Sequence, residues 1–293
     1  MIAVFRKELA DHLSSKRFFI FLILVWALAI FSAYIATQDI RGRVGIDTEF
    51  VFLTFFTTTS RELFSFMVFL ALFIPIISIA LGFDAINSER NSGNLSRLLS
   101  QPIYRDGVIN GKFLAGLAVL AIMVVSVIAI LAGLGLRIIG VPPAAQEVLR
   151  LVAFALISII YGAFWMALAV LFSILFKSAT TSMLSSIGLW IFFVLFMPLI
   201  ATAVTEDAAI QGIIARISPY TLYGEVISTL LMPSLDSTTA ALLYTNTGRL
   251  PNPLSFTQSL SLVWPQLVSI IALAVICFAI SYIRFMREEI RAT

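Results

Sequence analysis

The chain is short of charge. Only 12% of its 293 residues are Asp, Glu, Lys or Arg, half of the roughly 25% usual in a soluble domain, and 60% are hydrophobic. A water-facing surface of ordinary composition is excluded. Histidine occurs once, at His12, which rules out a two-histidine zinc site and an H-E-x-x-H protease helix. The single cysteine, Cys277, cannot close an intramolecular disulfide. The net charge of +3 is scattered and offers no basic patch for nucleic acid. Gly107-Val108-Ile109-Asn110-Gly111-Lys112-Phe113 is no phosphate loop. It has three residues between its glycines instead of four, and Phe113 stands where Ser or Thr must hold Mg²⁺. The interiors of the apolar runs also read as uncharged, with Arg61, Glu62 and Asp84 at their edges. That argues against an ion-coupled carrier and against an embedded enzyme, both of which need buried ionisable groups. Nucleotide-binding and catalytic motifs are lacking, so the chain reads as a non-enzyme with catalytic residues, cofactor and metal all none.

What the chain has is long apolar runs, and its mean hydropathy is +1.03. About 20 residues at 1.5 Å each cross the roughly 30 Å of a bilayer's hydrocarbon. Six runs reach that length: Phe18–Ala36, Leu63–Phe83, Val108–Leu136, Leu149–Phe176, Thr181–Val204 and Trp264–Tyr282. The first is too long for a signal-peptide h-region and reads as a retained span. The fold class is therefore all-α: a polytopic integral membrane protein with six transmembrane helices, one transmembrane domain over 1–293.

Lys and Arg set the orientation. Arg6, Lys7, Lys16, Arg17, Arg90, Arg97, Arg105, Lys112, Lys177, Arg284, Arg287 and Arg291 fall on one side. Arg41, Arg43, Arg61, Arg137, Arg150, Arg216 and Arg249 fall on the other, over longer loops. The first side is read as cytoplasmic, with both termini on it and the chain in the plasma (inner) membrane. Residues 1–17 repeat Ile2, Phe5, Leu9 and His12/Leu13 at helical spacing. This is an interfacial helix lying against membrane lipids, or else an ordinary basic flank of the first span. The outer loop, 205–263, holds two short amphipathic patterns. Ser218-Pro219 opens the second and Pro233 ends it; Ser234 to Pro253 reads as exposed loop.

The cytoplasmic loop 84–107 is the most informative stretch. Asn91 or Ser92 can cap a short helix whose Leu95, Leu98 and Leu99 share one face, Pro102 stops it, and Asp106 can cap the third span. Those leucines either rest on the membrane and neighbouring spans or plug a groove on a soluble partner.

In this loop the sequence resembles the permease subunits of type-2 ABC exporters (the type V ABC transporter fold), closest to the branch that includes the nitrous-oxide-reductase maturation permease. The resemblance rests on Phe83-Asp84-Ala85-Ile86, Glu89-Arg90, Ser92-Gly93-x-Leu95, Leu98-Leu99-Ser100-x-Pro102-Ile103-x-Arg105 and Gly111-Lys112. It implies a permease that couples ATP hydrolysis by a separate cytoplasmic ABC ATPase subunit to export of a substrate. ATP and Mg would act on that partner, and a second permease copy, identical or a close paralogue, would complete the half-transporter. Contact with the ATPase is then implied for Asp84, Glu89, Arg90, Gly93, Leu95, Leu98, Leu99, Pro102, Arg105, Gly111 and Lys112. The family's interface of first, second and fifth spans would draw Phe64, Phe66, Phe69, Phe73 and Pro75 into a gate or substrate wall, although plain packing aromatics fit that stretch equally. The alternative function is a membrane scaffold or assembly protein that recruits a soluble partner without moving a solute.

Overall fold

In a computed structural model, residues 1–42, 50–57, 65–93, 104–140, 142–232 and 254–287 are described. The described residues form helices and no strand. In chain order these are α1 Ile2–Ser14, α2 Lys16–Gly42, α3 Val51–Thr57, α4 Phe66–Gly82, α5 Asn87–Asn91, α6 Arg105–Ile139 and α7 Ala145–Leu175. They continue with α8 Ala179–Ile191, a π-helical turn Phe192–Phe196, α9 Met197–Val204, α10 Ala208–Ala215, α11 Pro219–Leu231 and α12 Phe256–Arg287. Six stretches are long and apolar enough to cross a membrane: Lys16–Thr37, Phe66–Asn91, Arg105–Ile138, Ala145–Leu175, Ala179–Val204 and Phe256–Arg287. They correspond one to one with the six runs read from the sequence.

The main difference is length. The sixth span begins at Phe256 rather than near Trp264, because hydropathy finds only the apolar middle of a helix. The true start is a capping box. The Gln258 side chain accepts from Ser255 N–H at 2.9 Å, and Ser255 Oγ accepts from Gln258 N–H at 3.4 Å. Ser15 likewise makes the elbow between α1 and α2. Its hydroxyl donates to the His12 carbonyl at 2.7 Å and accepts from Phe18 N–H at 3.2 Å. Gly140, at φ +75°, supplies the left-handed residue that ends α6.

α7 is the axis of the bundle and packs against α4, α6, α11 and α12. Glycine makes its closest approaches possible: a Cβ on Gly162 would come within 2.4 Å of Leu120 and 2.8 Å of the Ser78 hydroxyl. Two prolines shape the neighbours. Pro75, inside α4, has no N–H for the Ala71 carbonyl one turn back. The buried Tyr161 hydroxyl of α7 takes that carbonyl instead, at 3.3 Å. In the π turn Met197 N–H bonds the Phe192 carbonyl, so the matching donor for Phe193 would be residue 198, a proline. The Phe193 carbonyl accepts from Ser218 Oγ at 3.0 Å, which pins the start of α11 to the fifth span. α11 then dips into the bundle. Its Tyr223 stacks on Tyr161, with centroids 4.1 Å apart and rings 5° from parallel, and hydrogen-bonds the Ser158 hydroxyl at 2.7 Å.

One end of the bundle, termed proximal below, gathers α1, α5, the first turn of α6 and the last turns of α7 and α12. There Ile86, Val108, Ile109, Val170, Ile174 and Phe285 form a separate apolar cluster. The distal end carries α3, α10 and α11.

Candidate coupling site at the proximal end

α1 approaches α6 closely because two glycines one turn apart face it. A Cβ on Gly111 would meet Val4 at 3.0 Å and Phe5 N at 3.2 Å; one on Gly107 would meet the Met1 backbone at 3.1 Å. Gly111 is thus the seat of α1. The docked face carries Val4 and Glu8, both buried, while Ile2 is 65% exposed. The helix is therefore rotated from the expected Ile2/Phe5/Leu9 stripe. A charged pair overrides the apolar pattern.

Glu8 meets Lys112 on α6 at 3.0 Å, and the same ammonium donates to Glu89 of α5 at 2.9 Å. The Lys112 side chain is 8% exposed. Burial raises the Glu8 carboxyl, but the charge and hydrogen bond of Lys112 outweigh it and hold the group below its ordinary value. Lys7 bonds Glu8 at 3.1 Å. Burial pulls the Lys7 ammonium down, yet the Glu8 bond and its neighbouring carboxylates leave it raised. Burial keeps His12 below its usual value against Glu8. One buried lysine thus joins α1, α5 and α6.

Asp84 receives Arg17 of α2 at 2.7 Å, and the same guanidinium lies 5.3 Å from the centre of the Phe83 ring. Below it, the Ser173 hydroxyl of α7 accepts from the Ile86 and Asn87 N–H groups at 3.0 and 3.2 Å, supplying the cap that Ile86 cannot. Carbonyls at and just beyond the end of α7 are used as well. Asn91 Nδ2 donates to Lys177 O at 2.9 Å, and Arg90 reaches Ile174 O at 3.5 Å. The segment leaving α4 is therefore tied to α2, α1, α6 and α7 within ten residues.

Two capping expectations are corrected. Asn91 is the last residue of α5 rather than the cap of a later helix, and its side chain is spent on Lys177. Asp106 lies inside α6, which starts at Arg105, and accepts from Gly107 N–H at 2.8 Å; Tyr104 holds the cap position. Gly93 sits at φ +71°, the left-handed residue that ends α5, which explains a glycine in that place. Leu95, Leu98, Leu99, Pro102 and Phe64 lie outside the described residues. A cleft of about 180 Å³ opens beside the lysine and is lined in part by Lys7, Glu8, His12, Asp84 and Glu89. Among the described residues, no group of three His, Cys, Asp or Glu could hold a metal.

The sequence model described as "ABC-2 family transporter protein" matches residues 2–290. The chain belongs to the ABC-2 transporter family. It is also similar to the protein named probable ABC transporter permease protein NosY of Pseudomonas aeruginosa, 29% identical over 202 residues that cover 68% of each chain. The six-span, all-helical membrane architecture is that of an ABC-2 permease.

In this ABC-2 permease the reading of uncharged spans needs correction. Lys112 lies inside the third span. In the fourth, Glu147 and Arg150 are buried at the distal end. Arg150 donates to Leu230 O at 2.6 Å, Leu254 O at 2.7 Å and Ser259 Oγ at 3.2 Å. It thereby satisfies a carbonyl near the end of α11 and ties α7 to α11 and α12. Glu147 accepts from the Phe52 and Ala144 N–H groups at 3.0 and 2.8 Å, fixing α3 and starting α7. Arg150 was counted as a loop charge and Glu147 was not singled out, because they sit at the edge of an apolar run. Their i, i+3 spacing on the buried face of α7 is the signal that could have found them. Of the aromatic stretch, Phe66 is buried edge-on against Phe56, with centroids 5.8 Å apart, and Pro75 is buried against the bundle. Phe69 and Phe73 are half-buried.

Proposed function

We propose that this permease couples ATP hydrolysis on a separate cytoplasmic ABC ATPase to export of a substrate, with ATP and Mg held by that partner and a second permease copy completing the assembly. The proximal end is the cytoplasmic face, both termini lie there, and the membrane is the plasma (inner) membrane. The whole chain acts as one permease domain, with α1 as an interfacial helix against lipid, 84–107 as the coupling loop and 205–263 as the outer loop. The observation that carries this reading is the anchorage of Asp84–Gly93. This polar segment at the proximal end of the second span is fixed by Arg17, Lys112 and Ser173 to three other helices, so a push on it is delivered to α2, α6 and α7 together.

Leu95, Leu98 and Leu99 form the plug that enters the ATPase, with Gly93, Pro102 and Arg105 shaping its ends. Asp84, Glu89, Arg90, Gly111 and Lys112 act one step back, as the mount. ATP binding alters the ATPase groove, and the permease state that fits the altered groove better gains population. Phe69 and Phe73, both half-buried, would face the partner permease as a gate.

The test is co-purification with the cognate ATPase. Leu95→Asp with Leu98→Asp should abolish association while leaving the permease folded; unchanged association refutes the plug. ATP-dependent transport in reconstituted vesicles separates a transporter from a scaffold that recruits the ATPase without moving a solute.

A further inference from the structure

A groove with about 700 Å³ of free space runs along the outside of the bundle between α6, α7 and α12. Small residues open it: Ala163 on α7, and Ala274 and Ala279 on α12. Phe113 of α6 forms part of the wall, packed on Phe278 with centroids 4.3 Å apart. The lining is apolar throughout apart from the Tyr282 hydroxyl at the proximal end.

Its length identifies what fills it. On α12 the groove extends from Ile271 to Ile283. That is about 18 Å at 1.5 Å per residue, slightly more than one leaflet of a hydrocarbon core about 30 Å thick. A partner's transmembrane helix would need a channel across both leaflets. A lipid tail needs one. At the proximal mouth Arg287 stands exposed, with no ion pair or hydrogen bond among the described residues. Lys7, Arg17 and Lys112 at the same end are all bound to carboxylates. Arg287 falls one turn beyond Ile283, at the edge of the stripe that lines the groove. The groove also lies on the third, fourth and sixth spans, away from the first, second and fifth that the exporter resemblance gives to a second permease.

We propose that this groove binds an acyl chain of one anionic phospholipid of the leaflet at the proximal end, with its phosphate met by Arg287. That leaflet is the cytoplasmic one in the orientation proposed above, but the site needs neither that orientation nor an ATPase. Phe278 and Tyr282 also pack against the cluster that contains Ile86. The bound chain therefore braces α12 against the root of the coupling segment.

The experiment uses the purified full-length permease in nanodiscs of phosphatidylcholine with a minor fraction of phosphatidylglycerol. Lipid retained after gentle detergent release is counted by native mass spectrometry. The wild type should keep one phosphatidylglycerol per chain in preference to phosphatidylcholine. Ala279→Trp, a change at an exposed position that fills the groove, should lose the retained lipid of either kind. Arg287→Ala should keep one lipid but lower the preference by about fivefold. Equal retention of both lipids by the wild type, or retention unaltered by Ala279→Trp, would mean annular lipid only and overturn the proposal.

Discussion

Replacing Lys112 with methionine removes one charge while keeping the length of the side chain. Glu8 and Glu89 then face each other, no more than about 6 Å apart, since both touch the same ammonium in the wild type. Two unit charges at that separation repel by about 3 kcal/mol at an effective dielectric near 20. Two charge-assisted hydrogen bonds are lost as well, each worth about 1.5–3 kcal/mol net. Protonation of one carboxylate and outward movement of Glu8 relieve part of this. The expected loss is about 3 kcal/mol, carried by local detachment of α1 rather than by unfolding of the spans, because α1 is peripheral. Amide hydrogen exchange should therefore speed up about a hundredfold in residues 3–12 and 87–91, at roughly tenfold for each 1.4 kcal/mol. Exchange in the middle of α7 should not change. Adding Glu8→Gln to Lys112→Met removes the repulsion and should recover half or more of the lost protection. Exchange within threefold of wild type, or no recovery in the double variant, would refute the lysine's role as the joint of three helices.

Acid should mimic that lesion. The Glu8 carboxyl is held below its ordinary value, so its contribution is complete above the unfolded value of 4.5 and fades as pH falls through the lowered folded value; proteolytic release of α1 should rise in that window, and Glu8→Gln should flatten the dependence. Arg150→Met leaves the Leu230 and Leu254 carbonyls buried without donors, at about 1–3 kcal/mol each. The melting temperature in detergent should fall by several degrees, with Arg150→Lys falling less because one ammonium replaces only part of the fork. Tyr161→Phe should cost about 1 kcal/mol for the bond to Ala71 O. The same change made on Pro75→Ala should cost clearly less, since residue 75 then supplies an N–H to that carbonyl; equal costs in both backgrounds would show that the hydroxyl acts elsewhere.

The spans were legible because a lipid-facing helix must be apolar along its whole length, and six runs met that condition. Local chemistry placed α11 well: Ser218 and Pro219 stand at its start as expected. Helix ends set by side-chain caps were less legible. The Ser255–Gln258 box was present in the sequence but was masked by the expectation of a long polar loop. The root of the candidate site was half visible. Asp84, Glu89, Gly111 and Lys112 were singled out as a motif, and they do converge. Their partners Glu8, Arg17 and Ser173 were not, since no periodicity within one helix reveals which carboxylate a distant lysine will meet. Glu8 in particular interrupts an amphipathic pattern, and such an interruption reads as noise until the opposing charge is seen. Arg150 escaped because a charge at the end of a run looks the same in sequence whether it faces water or the interior.

The carbonyl that Pro75 leaves open has a mechanical consequence. A missing rung in one helix, filled from the next, acts as a dowel: α4 cannot turn or slide against α7 without stripping the Tyr161 bond, and the stacked ring of Tyr223 backs the tyrosine from α11. Those two helices and α11 make one braced unit. The fifth span is largely exposed, and it is pinned at mid-span, where the Phe193 carbonyl takes the Ser218 hydroxyl. In the working cycle proposed above, movement is expected about that π turn, with the tyrosine-locked pair standing still.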